Sequence, residues 1–285
     1  MFEKIVVGYD QSDGSRDALA LASEVASKFG SALTVGTTVP APMGGNFAPA
    51  LTADAYTNLA EQATVAAREA AEPLGAAAAV SEASSPAIGL EQIAASEGAD
   101  LVVIGCAKAD PGHVRAGHKA RQLMSGGEAS VLLAPVGYAS GGSIDRVGVA
   151  VNGTPESDRA IGAAAAFANG GPVEVISVAT DFAEYWGHWT AGTVITDLAE
   201  ASREAAQAIL DDAIAKVPQG TGSEPVLREG DAIMELRAVS EGEIDLLCLG
   251  SRSYGPVRRV LLGSTSTGVV GDAGCAVLVV PRTGS

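Results

Sequence analysis

The run Ile244-Asp245-Leu246-Leu247-Cys248-Leu249-Gly250-Ser251-Arg252-Ser253-Tyr254-Gly255-Pro256-Val257-Arg258-Arg259-Val260-Leu261-Leu262-Gly263-Ser264 decides how the chain is read. Five residues of near-continuous apolar character, Leu246 to Gly250, have the length and composition of a strand buried on both faces. The glycine ends it, a loop with three arginines follows, and Gly263-Ser264 has the form of a helix start. Strand, glycine loop and helix start together describe a place where backbone N–H groups surround an anion.

Working back from this stretch, strands and helices alternate along the whole chain. Ile5-Val6-Val7-Gly8-Tyr9-Asp10 is a short buried strand, and Ser12 to Ser15 supply caps for a helix ending near Phe29. Ala32 to Val39 is a second strand, closed by Pro40-Ala41-Pro42-Met43-Gly44-Gly45. An alanine-rich helix from Ala53 to Glu72, a weak strand around Ala78-Ala79-Val80 and a helix after Pro86 lead to Leu101-Val102-Val103-Ile104-Gly105, the strongest strand of this half. A loop from Cys106 to His118, a helix from Lys119 to Met124 and Ser130 to Pro135 complete the unit. Continuously apolar strands between helices predict parallel sheets covered on both faces, a doubly wound α/β fold with five strands per unit.

The same order then repeats. Asn152 follows Asp10 by 142 residues (152 − 10), Gly250 follows Gly105 by 145 (250 − 105) and Pro281 follows Pro135 by 146 (281 − 135). Near-constant spacing at matched landmarks marks a duplication of one unit of ordinary domain size. The domains are read as residues 1–138 and 144–285, joined by the Gly/Ser-rich Val136 to Ser143.

Composition narrows the function classes. With 34 acidic and 18 basic residues the net charge is −16, which disfavours generic attraction to nucleic acid or an anionic membrane. Cys106, Cys248 and Cys275 have no metal-binding or disulfide spacing, so no metal site is expected and a cytoplasmic setting is inferred. The N-terminus enters a strand at once and no run long enough to span a membrane is expected. No G-x-S-x-G, H-E-x-x-H or P-loop motif occurs, so no catalytic residue is assigned.

On these residues the chain resembles a tandem universal stress protein over essentially all of both halves. Nucleotide-binding members of that family carry G-x2-G-x9-G-(S/T) after the fourth strand and an aspartate at the end of the first. The second half carries Gly250, Ser253 in place of the second glycine, and Gly263-Ser264, with Thr265 and Ser266 as further donors and Asn152 at the aspartate position. The resemblance implies a regulatory adenine-nucleotide site, ATP with or without magnesium, in the C-terminal domain. There Asn152 meets the base, Val178 lines its pocket, and Gly250, Ser253, Gly263, Ser264 and Thr265 hold the phosphates. Ser264 is read as the helix cap and Gly250 as the sharp exit from the strand. Asparagine can both donate and accept at the base edge.

The first half keeps Asp10 but has Lys108 at the second glycine, and its closing pair, Gly117-His118, comes one residue early without a hydroxyl. Lys108, His113, Arg115, His118 and Lys119 leave that loop basic, so an anion can bind by charge, while ATP binding in the family manner is not expected. Asp10 reads equally as a ligand contact or as an Asx-type turn with Ser12. Tyr185-Trp186-Gly187-His188-Trp189 reads as packing of a long connection, with a lid over a base as the other reading. The family's habit of pairing through the last strand implies an internal pseudo-dimer through Val131 to Ala134 and Val277 to Val280, an unidentified protein partner, and scope for a further homodimer. The competing function is a nucleotide-independent interaction scaffold in which both loops have drifted, and a third is a binder of another anion.

Overall fold

The computed structural model describes residues 1–41, 53–106, 108–181, 192–251 and 263–281. Ser253 and the three loop arginines, Arg252, Arg258 and Arg259, lie outside the described residues, as do Tyr185 to Trp189. The chain divides into two compact units, Met1–Ser143 and Ile144–Ser285.

The first unit runs β1 (Lys4–Gly8), α1 (Asp13–Phe29), β2 (Ala32–Pro40), α2 (Ala53–Ala71), β3 (Ala77–Ala83), α3 (Pro86–Glu97), β4 (Leu101–Gly105), α4 (His118–Gly126) and β5 (Ser130–Ala134). The strands lie in the order β3-β2-β1-β4-β5 and every pairing is parallel. Right-handed crossovers then put α1 and α2 on one face and α3 and α4 on the other, and α3 packs on α4. The second unit repeats this with β6 (Val147–Ala150), α5 (Pro155–Ala168), β7 (Pro172–Ala179), α6 (Gly192–Ala215), β8 (Gly222–Glu229), α7 (Ala232–Ser240), β9 (Leu246–Gly250), α8 (Ser264–Val269) and β10 (Ala276–Val280). Its order is β10-β9-β6-β7-β8, again all parallel.

Local chemistry sets the helix starts. Ser12, Ser85, Thr154 and Asp231 each accept from the first-turn N–H groups of α1, α3, α5 and α7. Gly30, Gly98 and Asn169 close α1, α3 and α5 in the left-handed conformation. The weak strands of the sequence, β3 and β8, are each the outermost strand on their side of the unit, which is why β8 tolerates Pro225 and both carry exposed residues. The central strands have buried middles: Leu101, Val103, Leu246, Leu247 and Cys248 are all at 0% exposure.

The connection after β5 is not the free linker that its Gly/Ser content suggests. Tyr138–Ser140 forms a 3-10 turn and Tyr138 is buried. The buried Asp17 carboxylate of α1 accepts from the N–H groups of Gly137 (2.8 Å) and Ala139 (2.9 Å), and the Tyr138 hydroxyl donates to Glu24. A charged side chain on the apolar face of α1 thus satisfies two backbone donors that would otherwise be unpaired.

Candidate functional site

In a sheet ordered 3-2-1-4-5 the strand order reverses between β1 and β4, and ligands of such sheets sit at the carboxyl ends of those two strands. Each unit has a cavity there. In the second unit it measures about 160 Å³ and is bounded by Asn152 after β6, Val178 in β7, Gly250 at the end of β9, and Gly263, Ser264 and Thr265 at the start of α8. Six residues singled out from the sequence therefore surround one space, and the seventh, Ser253, is outside the described residues. Thr154, Ser157, Ile176, Ala232 and Leu236 also line it. Of these, Thr154 had a readable signal, standing two residues after Asn152 at a helix start.

Gly250 has a packing role that its sequence context did not announce. It lies within β9, and a Cβ there would stand 2.6 Å from the backbone carbon of Glu156 and 2.8 Å from the nitrogen of Ser157. Glycine is needed because the first turn of α5 rests directly on the strand end. Gly105 is the same feature in the first unit, where a Cβ would overlap the Gly14 carbonyl.

Ser264 differs from its expected part. The N-cap of α8 is Gly263, in extended conformation with no side-chain cap, and Ser264 is the first helical residue. Ser266 is buried and donates its hydroxyl to the Gly250 carbonyl at 3.0 Å, tying α8 to β9 and removing that hydroxyl from the ligand inventory. Ser264 and Thr265 keep theirs, and the opening N–H groups of α8 lack a side-chain acceptor.

Asn152 and Asp10 both make Asx turns. Asn152 Oδ1 accepts from the Thr154 hydroxyl (2.7 Å) and N–H (3.3 Å), and Asp10 Oδ1 accepts from the hydroxyl and N–H of Ser12. The turn fixes the same oxygen in both, so the two residues differ in the remaining atom: Nδ2, a donor, in Asn152, and Oδ2, an acceptor, in Asp10. Partial burial by itself would raise the Asp10 carboxyl, but the Ser12 and Ser15 bonds and the nearby Lys119 ammonium together hold it below the usual carboxylate range.

The first unit's cavity measures about 560 Å³. Its floor is β1 Gly8 and β2 Gly36, and Leu90 of α3 comes down onto both, 3.0 Å from where a Gly8 Cβ would stand and 3.3 Å from that of Gly36. The register of β1 with β2 and of β6 with β7 puts Ala150 and Ile176 at those positions in the second unit, which raises its floor. The loop after β4 is folded back on itself. Gly112 N–H donates to Val136, Val136 N–H to His113, His113 N–H to Asp110 and Arg115 N–H to Cys106 Sγ. Lys108, Arg115, His118 and Lys119 all line the cavity.

All three cysteines are buried, and burial pushes the Cys106 thiol up to about 11, the Cys275 thiol up to about 12 and the Cys248 thiol up as well. Among the described residues no group of His, Cys, Asp and Glu gathers to hold a metal, and no helix is long and apolar enough to cross a membrane.

The profile of the universal stress protein family matches twice, over residues 1–135 and again over 143–281. Among solved structures, a universal stress protein from Archaeoglobus fulgidus DSM 4304 superposes with a TM-score of 0.67 at 20% identity, covering 98% of each chain. A putative universal stress protein from Pseudomonas aeruginosa UCBPP-PA14 gives 0.61 at 17% identity, covering 98% of this chain and 93% of its own. At these identities the likeness is one of fold. Comparison with curated proteins gives no significant match.

Proposed function

This chain belongs to the universal stress protein family, with two such domains in tandem, and we propose that its C-terminal domain is a regulatory site for an adenine nucleotide, ATP foremost. One observation carries the reading: Asn152, Val178, Gly250, Gly263, Ser264 and Thr265, far apart in sequence, bound one cavity at the switch point of the sheet.

Each end of the cavity has a matching chemistry. Val178, Ile176 and Leu236 give an apolar slot suited to a flat base, and the Asn152 amide stands beside it to donate to a ring nitrogen. At the other end the uncapped start of α8 and the hydroxyls of Ser264 and Thr265 suit phosphate oxygens. This donor set fits a nucleotide. It offers no carboxylate cluster for a metal, so magnesium would enter with the phosphates and be held by them. Occupancy of the site would be relayed to a protein partner.

Calorimetry with ATP, AMP and cyclic AMP on the full chain tests the proposal. ATP is expected to bind, and Gly263→Asp, which puts a carboxylate at the start of α8, is expected to weaken it at least about tenfold by like-charge repulsion. No heat from any of the three would favour the nucleotide-independent scaffold. Binding unchanged by Gly263→Asp would move the site elsewhere.

A further inference from the structure

The N-terminal cavity differs from its C-terminal counterpart in donors and in floor, and each difference constrains what it holds. Its mouth carries Lys108 and Arg115 from the loop and His118 and Lys119 from the start of α4, against a single carboxylate, Asp10. In a chain of net charge −16 this local excess of cations at one cavity mouth marks an anion site.

The site is not built for a polyphosphate. A phosphate cradle uses consecutive loop N–H groups, and here those of Gly112, His113 and Arg115 are already given to Val136, Asp110 and Cys106. His118, Lys119 and Ala120 replace the hydroxyl-bearing Ser264, Thr265 and Ser266. An anionic group there meets side-chain charge and the opening turn of α4, whose N-cap, Gly117, makes no side-chain cap bond. That suits one compact head and not a chain of three. Behind the head the walls are apolar: Leu90, Ile104, Leu123, Ala87 and Ala120 surround a space of about 560 Å³, within the range of small-molecule pockets.

We propose that the N-terminal cavity is a second ligand site, for an amphipathic anion: an acyl or aryl body in the cavity with one carboxylate or phosphate head against Lys108, Arg115, Lys119 and the start of α4. This goes beyond the nucleotide reading of the C-terminal domain and does not rest on it.

The test uses the full chain in the Gly263→Asp background, with 8-anilinonaphthalene-1-sulfonate as the fluorescent probe and decanoate, phenyl phosphate and ATP as competitors. A saturable fluorescence rise is expected, reversed by decanoate or phenyl phosphate, and the stronger of these two tells an acyl carboxylate from an aryl phosphate. Gly117→Asp is the decisive variant. Its backbone is extended (φ −72°, ψ 179°) and a Cβ there meets nothing within 4 Å, so aspartate becomes an ordinary N-cap and the melting temperature stays level or rises. Probe affinity should nevertheless fall at least about tenfold, because a carboxylate now occupies the place of the head group. Probe binding undiminished in Gly117→Asp, no saturable binding, or displacement by ATP but by neither amphipathic anion would each overturn the proposal. Loss of nucleotide heat in the proposed C-terminal site leaves these outcomes untouched, so the two readings fail separately.

Discussion

The two halves share a fold and a site position but solve the same local problems with different residues. In the first unit α1 meets β4 as glycine against glycine, Gly14 on Gly105, while in the second the helix partner is Glu156 and only the strand residue, Gly250, is glycine. Asp17 of α1 anchors the chain beyond β5 through two backbone bonds, whereas Arg159, 142 residues later, reaches the Pro281 carbonyl at 3.4 Å. The duplication conserved the positions that fold the unit and left the cavity walls free to diverge. Substitutions at paired positions test how far that equivalence goes.

The largest effects belong to the strand-end glycines. Gly105→Ala forces a Cβ into the Gly14 carbonyl, and backbone cannot step aside as a side chain can, so a loss of about 4 kcal/mol or more is expected. Gly250→Ala, whose nearest backbone atom stands at 2.6 Å, should cost about 3 kcal/mol. Both tryptophans, Trp186 and Trp189, are in the second half, so urea unfolding followed by fluorescence reports that half while circular dichroism reports both. Equal, small losses in both variants would mean that α1 and α5 slide freely on their strands.

Next is Asp17→Ala, which takes from the Gly137 and Ala139 N–H groups the carboxylate they both donate to. The expected loss is about 2 kcal/mol, and faster hydrogen exchange at those two amides would locate it. Arg159→Ala, which loses among its contacts the 3.4 Å bond to the Pro281 carbonyl, should cost less than that, about 1 kcal/mol. If the order were reversed, the anchor of the first unit would not be the carboxylate.

How much of this was legible beforehand depends on the range of the cause. Continuous apolar runs such as Leu101–Gly105 and Leu246–Gly250 state a doubly covered parallel strand by composition alone, and the offsets of 142 to 146 residues state the repeat. The family resemblance implied a shared site for Asn152, Val178 and Gly263, and the three stand around a common space at the switch point of the sheet. The packing role of Gly250 was not legible because its neighbour, Glu156, is 94 residues away (250 − 156), and no local pattern reports a helix turn resting on a strand end. Ser264 was misread by one position, since a glycine and a serine can each take an N-cap. The width of the N-terminal cavity depends on Gly36 facing Gly8 across a register that only the sheet defines. Asp17 did carry a signal, a carboxylate four residues before Leu21 on the apolar face of α1.

The base of each sheet offers a pH test. Asp100 accepts from the N–H groups of Glu3 and Lys4 (2.8 and 3.3 Å), and Asp245 does the same for Asp145 and Arg146 (3.2 and 2.8 Å). Only the second latch adds a guanidinium: Arg146 Nη2 meets Asp245 Oδ1 at 2.6 Å, while Lys4 turns to the Glu97 carbonyl. Burial would raise the Asp245 carboxyl, but the Arg146 guanidinium and the two backbone bonds hold it below the ordinary 3.8. A carboxyl lowered on folding adds stability that is present above its unfolded value and lost as pH falls through the folded one. Wild type should therefore lose this increment below about pH 4, whereas Asp245→Asn should lack it at pH 7, at a cost of about 1 kcal/mol given a side chain 23% exposed. The gap between the two proteins should close on acidification. A gap independent of pH would assign the cost to packing.

The smallest effect comes from the turn between the first strand and helix, and it is the cleanest paired exchange in the molecule. Gln11 adopts φ +65°, a left-handed conformation that costs a residue with a Cβ roughly 1 kcal/mol, and the matched residue in the second unit is Gly153 at φ +71°. Both turns are held by the same Asx bonds, from Ser12 to Asp10 and from Thr154 to Asn152, so the backbone is fixed and only the side chain differs. Gln11→Gly relieves the strain but admits more unfolded conformations, which leaves a net gain of about 0.5 kcal/mol. Gly153→Gln should lose about 1 kcal/mol, since a Cβ at that site also comes to 3.4 Å from Ile209. Thermal unfolding of the two single variants and the double exchange decides it: opposite signs, with the double variant near their sum, show that the two turns are equivalent and independent. If Gln11→Gly instead destabilises the first unit, the glutamine side chain is making a contribution there that glycine cannot, and the equivalence of the two turns ends at the backbone.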